Sequence, residues 1–220
     1  ASAALCVFAL SQIQLEYGPS LWWQVPALLA MWLIYGWVLV GLFVLGHDCG
    51  HQAFSRRRWV NEVVGHLCMA PLFNSYQTWR LTHDHHHGHT QLKGQEVDWS
   101  ANLVTADELE RLTWRDGFWT RLGYALPFGL FVWIVYNTVR RALSVKKMLR
   151  PEVAERAKSQ LRLSNLILLA VLVAIYAGLI GYTGVWGFIK YHGMPSTIAL
   201  ITGALLITIQ HANAQSIIYD

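Results

Sequence analysis

The sequence predicts an all-α protein: a membrane helical bundle of about four transmembrane helices, the first truncated, with cytosolic and interfacial helices that carry clustered histidines. Three observations predict it. Of the 220 residues 54% are hydrophobic and only 14% charged, where an ordinary soluble domain has about 25% charged. Residues 22–45 hold no charged side chain, and at helical rise they cover about 36 Å, enough to cross a bilayer with some tilt. All 17 Lys and Arg except Lys190 fall within residues 56–162, the asymmetry of a chain with one cytoplasmic face. The net charge of +4 then reflects membrane orientation and calls for no nucleic-acid partner.

One domain is expected over residues 1–220, in four parts. A first membrane hairpin covers 1–45, a cytosolic and interfacial region 46–163, a second membrane hairpin 164–211, and the start of a truncated C-terminal region 212–220. Residues 3–15 are apolar but too short to span, and Glu16-Tyr17-Gly18-Pro19 reads as the turn after a crossing whose start is missing. There is no charged n-region to mark a signal peptide. Residues 60–73 and 117–139 are apolar but interrupted by Glu62, His66, Arg121 and Pro127, which favours interfacial helices over spans. Between them residues 93–116 are polar, with Thr105-Ala106-Asp107-Glu108 as a helix start. Residues 140–162 are basic and helix-prone, suited either to anionic head groups or to a solvated helix. Residues 164–186 and 195–211 are read as an antiparallel hairpin joined by a short turn over 187–194. Placing the turns at 16–20 and 187–194 outside puts residues 47–162 in the cytosol, so the protein is expected to be an integral, multi-pass membrane protein. The three cysteines, Cys6, Cys49 and Cys68, form no CxxC pair, so neither a disulfide framework nor a zinc ribbon is supported.

Seven of the ten histidines lie in His47-Asp48-Cys49-Gly50-His51 and His83-Asp84-His85-His86-His87-Gly88-His89. With about 100° per helical residue, His83, His86 and His87 share one arc, His85 points away and His89 sits on the flank. His47 and His51, four apart, present two more imidazoles on the turn that continues the 22–45 helix. His211 follows Gln210 at the end of the last apolar helix, at a similar depth. The expected metal ligands are therefore His47, His51, His83, His86, His87 and His211, with His85 and His89 outside the first coordination sphere. His66 and His192 are expected to be surface or satisfied residues. Imidazole suits zinc, copper, iron and nickel, and this set exceeds the four ligands of one tetrahedral zinc, so two metals are expected. There is no HExxH of a zinc protease and no Glu-x-x-His of carboxylate-bridged bundles. An all-imidazole di-iron centre that activates O2 beside an aliphatic chain fits best.

HDCGH at residues 47–51 followed by WRLTHDHHHGHT at residues 79–90 resembles the first two histidine boxes of the integral-membrane fatty acid desaturases, especially the group that includes the delta-12 acyl-lipid enzymes. Trp79, His83, His86, His87 and Thr90 carry the pattern of the second box, and Gln210-His211 resembles an additional ligand position. The resemblance implies two iron ions, with O2 as co-substrate and two electrons removing hydrogen from neighbouring methylenes to leave a cis double bond. It implies a fatty acyl lipid, acyl-CoA or acyl-ACP substrate and the bilayer as surroundings. No electron-carrier motif is present, so a separate ferredoxin or cytochrome b5-type donor is expected, docked on the basic face. The family carries a third box after the last membrane helix, and no histidine follows His211. The chain is thus expected to be a fragment lacking that box, unable by itself to hold both irons correctly. Asp48, Asp84 and Asp98 are read either as partners orienting imidazoles or as caps and surface charges. Trp79 and Arg80 suit either an acyl chain and its head group or an ordinary interface. Other readings remain open: a membrane hydroxylase or ketolase, a zinc-dependent membrane hydrolase, or an inactive metal-binding partner.

Overall fold

The computed structural model describes residues 1–15, 18, 20–89, 106–124 and 151–211, and every regular element among them is helical. In chain order these are α1 (Ser2–Gln12), α2 (Leu21–Gly50), α3 (Arg58–Met69) with a 3-10 turn (Ala70–Leu72), α4 (Tyr76–His89), α5 (Ala106–Arg111), α6 (Trp114–Tyr124), α7 (Pro151–Phe188), a π-helical turn (Ile189–Gly193) and α8 (Met194–His211). The all-α expectation holds. Two stretches, Leu21–Gly50 and Pro151–Leu206, are long and apolar enough to cross a membrane, with mean hydropathy reaching 2.4 and 2.5. α1, at 11 residues, is not. α5 starts at Ala106, where the Thr105 to Glu108 pattern places it. Glu16, Tyr17, Pro19, Thr90, Asp98, Pro127 and the segments 93–105, 125–150 and 212–220 lie outside the described residues.

The chain falls into two compact units, Ala1–Leu72 with Leu169–Thr202, and Phe73–Leu168 with Gly203–Asp220. In the first, α1 runs back along α2: Leu10 and Ile13 pack in one buried cluster with Leu28 and Trp32, joined by Tyr191, Met194 and Ile198. The first turns of α8 lie on the same helix, with Ala199 against Leu39 and Leu72. Close approach requires glycine at position 36, because a Cβ there would stand 2.5 Å from Ile198 Cγ2 and 3.2 Å from the Pro195 carbonyl. Small residues of this kind let helices pack where lipid removes the hydrophobic drive. Trp32 Nε1 donates to the Lys190 carbonyl at 3.0 Å, satisfying the indole N–H that burial would otherwise strand. Buried Lys190 in turn donates through Nζ to the carbonyl of Ile13, the C-cap of α1. A cation there satisfies an open carbonyl and suits the negative end of the helix dipole.

The helix-prone basic residues 151–162 and the apolar residues 164–186 form one continuous helix from Pro151. The reversal expected over 187–194 lies earlier, at Gly184, whose φ of 68° and ψ of −176° break the helix. An unbroken helix would separate Tyr176 from His192 by about 24 Å along its axis, yet their ring centroids are 5.7 Å apart, and Tyr176 meets Phe188 at 5.0 Å. The chain therefore doubles back at the glycine, and the expected turn residues 189–193 are π-helical.

Over the segment expected to be interfacial, α3 is amphipathic. Asn61, Gly65, Cys68 and Met69 are buried, while Trp59, Val63 and Leu67, spaced four apart, are 62%, 51% and 61% exposed. Four-residue spacing makes them one stripe.

In the second unit α4 is fixed on the first half of α7. Leu81 packs against Ala154, Ala157 and Leu161. Ser164 Oγ accepts from the Gln77 backbone N–H and from Ser75 Oγ, each at 3.1 Å, and Thr78 Oγ1 donates to Asn165 Oδ1 at 3.4 Å. A first-turn amide of α4, which no intrahelical carbonyl reaches, is thus capped by a side chain 87 residues away.

Candidate functional site

α2 ends on the first histidine pair. His47 and His51 are successive on one helix face, their rings 4.6 Å apart at 66° and their ligand nitrogens within 4.8 Å of one another. Asp48 Oδ1 stands 3.3 Å from His47 Nδ1, so the carboxylate favours a proton on Nδ1 and a lone pair on Nε2. Of the three carboxylates considered as orienting partners, Asp48 reaches its imidazole, Asp84 is exposed, and Asp98 lies outside the described residues.

α4 carries the second cluster. His83 and His87 face each other with their Nε2 atoms 3.1 Å apart, ring centroids 4.5 Å. His86 is buried, 3% exposed, with its centroid 5.7 Å from His83 and 5.6 Å from His87. His85 and His89 stack on each other at 3.9 Å and 10°, and His89 Nδ1 donates to the His85 carbonyl at 2.9 Å. The helical arc expected from spacing is therefore observed: His83, His86 and His87 are neighbours, and His85 pairs with His89 apart from them. His211 is the last residue of α8, and its side chain lies outside the described residues.

His66 and His192 make contacts through Nδ1, apart from the two clusters. His66 Nδ1 donates to the Glu62 carbonyl at 2.7 Å. His192 Nδ1 and Ser196 Oγ are 2.7 Å apart, both buried.

The residues fit a first-row transition metal on the chemistry of the donors. Two nitrogens 3.1 Å apart match the spacing of two ligands each about 2.1 Å from one ion. Imidazole donors on rigid helix faces suit iron, zinc, copper and nickel. The three cysteines are buried and form no disulfide, and burial pushes the Cys68 thiol above its usual range, away from the thiolate that binds metal.

Four further residues support these histidines. Trp79, 5% exposed, stacks on His83 at 4.3 Å and 23°; its place four residues before His83 was the available signal. Ser164 caps α4 from another helix, and Asn61 and Gln52 brace the end of α2. None of these last three carries a local sequence signal.

The sequence matches the family profile described as fatty acid desaturase over residues 21–218. It is 35% identical over 79% of its length to the sn-1 oleoyl-lipid 12-desaturase of Synechocystis sp., covering 46% of that protein. It is 30% identical over 86% of its length to the chloroplastic omega-6 fatty acid desaturase of Glycine max, covering 41%. Against the sn-1 acyl-lipid omega-3 desaturase (ferredoxin) of Nostoc sp. identity is 27% over 84%, covering 50%. The chain spans about half the length of the curated relatives it matches.

Proposed function

The chain belongs to the fatty acid desaturase family, and on that premise we propose that it works as a membrane acyl-lipid desaturase. The observation that carries this reading is the pairing of imidazoles at two helix positions, His47 with His51 and His83 with His87, inside the sequence region that matches the family. Their proposed role is to contribute, with His86 and His211, part of the ligand set for two iron ions. Bound iron would supply the activation of O2 with two electrons and two protons, so that two hydrogens leave neighbouring methylenes, a double bond forms, and both oxygen atoms depart as water.

The chain's own residues perform the holding and orienting. Asp48 fixes the tautomer of His47. Trp79 walls one face of His83, preventing ring rotation, so that its nitrogen keeps the direction set by α4. Ser164 and Leu81 anchor α4 itself, which keeps His83 and His87 in one fixed geometry. Ligands preset in this way need little reorganisation when an ion binds.

The proposed topology places both histidine clusters at the cytoplasmic ends of their helices, because the basic residues concentrate within 56–162. The exposed stripe Trp59, Val63 and Leu67 suits α3 to the lipid interface. The proposed substrate is an acyl chain carried on a membrane lipid, in line with relatives whose names specify oleoyl-lipid or acyl-lipid. The proposed donor is a ferredoxin, which the name of one relative specifies; an acidic carrier would be drawn to the basic face.

Expression in a host whose lipids hold only saturated and monounsaturated chains, followed by mass analysis of those lipids, tests the reading. A product lighter by two hydrogens is expected. A product heavier by one oxygen would make the protein a hydroxylase, and unchanged lipids in the presence of a reduced ferredoxin would contradict the activity.

A further inference from the structure

The end of α2 is closed by a left-handed residue that is not glycine. Gln52 has φ of 58°, a conformation that costs L side chains energy and that glycine ordinarily takes at this place. The backbone pattern is that of a Schellman close: Ala53 N–H donates to the Asp48 carbonyl at 2.8 Å, and Gln52 N–H to the Cys49 carbonyl at 3.0 Å. His51 is the C-cap, and its N–H donates to the His47 carbonyl at 3.1 Å. Both histidines therefore belong to the turn that this close defines.

What holds a glutamine there is its side chain. Gln52 Nε2 donates back to the Cys49 carbonyl at 3.0 Å, and its Oε1 accepts from Asn61 Nδ2 at 3.4 Å. Asn61 is 1% exposed and grips the intervening loop at both backbone groups of Ser55, accepting from its N–H at 2.9 Å and donating to its carbonyl at 2.7 Å. A glycine at position 52 would adopt the same backbone without strain but would bring no amide to the Cys49 carbonyl. Strained conformations persist where the surroundings over-determine them, and they concentrate at functional sites.

We propose that the amide pair Gln52 and Asn61 is a positioning device for the His47 and His51 ligand pair, locking the last turn of α2 so that both imidazoles hold their direction before a metal arrives. This rests on the reading that His47 and His51 bind metal. Neither amide touches the metal or the substrate; they act through the backbone that carries the histidines.

The replacement Gln52→Gly separates positioning from mere stability, because it relieves the backbone while removing the amide. The test uses the whole chain in detergent, with cobalt(II) alone as a spectroscopic probe. Thermal melting, affinity and the visible cobalt bands are read for wild type, Gln52→Gly, Gln52→Asn, Asn61→Ala and His47→Ala. Gln52→Gly is expected to melt at or above wild type yet bind cobalt about tenfold more weakly, the low end of what losing an outer-shell partner costs, with altered bands. Gln52→Asn, which tolerates the left-handed backbone and keeps an amide, should restore part of that loss. Asn61→Ala should weaken binding similarly and speed hydrogen exchange at the amides of residues 51–53. Wild-type affinity and bands in Gln52→Gly, alongside weakened binding in His47→Ala, would overturn the positioning role alone. Wild-type binding in His47→Ala would overturn the metal assignment, and the positioning role with it.

Discussion

His83 and His87 face each other across one turn of α4 with their Nε2 atoms 3.1 Å apart, and the indole of Trp79 lies flat against His83. The helix spaces the two imidazoles, and the tryptophan stops one of them from turning away. Trp79→Ala is expected to weaken metal binding by about tenfold, within the range seen for outer-shell partners, whereas Trp79→Phe, which keeps a flat ring against the imidazole, should bind as wild type. Titration of both variants with iron(II) under anaerobic conditions checks this.

Ser164 caps α4 from a helix far away in sequence, accepting from the Gln77 N–H. Ser164→Ala leaves that amide and Ser75 Oγ without this acceptor in a buried place, at a cost of about 1–2 kcal/mol. Faster hydrogen exchange at the amides of residues 76–79, with residues 21–45 unchanged, is the expected signature.

Gly36 admits Ile198 so closely that a Cβ would lie 2.5 Å away. Gly36→Val is expected to destabilise the packing of α8 on α2 by about 1–3 kcal/mol, as overpacking does. The thermal midpoint in detergent should fall, and shortening the partner with Ile198→Ala should restore part of it. Independent, additive losses would show that the two residues do not share this contact.

Gly184 turns the chain with φ of 68° and ψ of −176°, a region essentially closed to other residues. Gly184→Ala is expected to cost about 1–3 kcal/mol, although its Cβ would meet nothing within 4 Å. A thermal midpoint equal to wild type would contradict the reversal at this position.

The parts legible in the sequence were those written in local spacing. The charge-free run of residues 22–45 predicted α2, and helical angles predicted that His83 and His87 share a face while His85 does not. The reversal was misplaced for a physical reason. Residues 187–194 read as a turn between two apolar runs, but the polar residues within them are buried: Lys190 donates to the distant Ile13 carbonyl, and His192 meets Ser196 one helical turn on. Polarity that tertiary contacts satisfy cannot be told from polarity that water satisfies by reading one chain. The union of residues 151–162 with 164–186 in α7 is not legible either: charge changes at residue 163 while helical propensity does not, so hydropathy marks a boundary that the backbone ignores. In the site, the histidines announced themselves, but Ser164, Gln52 and Asn61 act across loops and helices and left no periodic trace.

Iron bound per chain, measured on protein purified anaerobically with iron and zinc both supplied, tests the central claim most directly when wild type is compared with His47→Ala and His87→Ala. The account predicts iron on wild type and a clear loss in each variant with the helical content unchanged. Zinc in place of iron, or iron that neither substitution reduces, would contradict it.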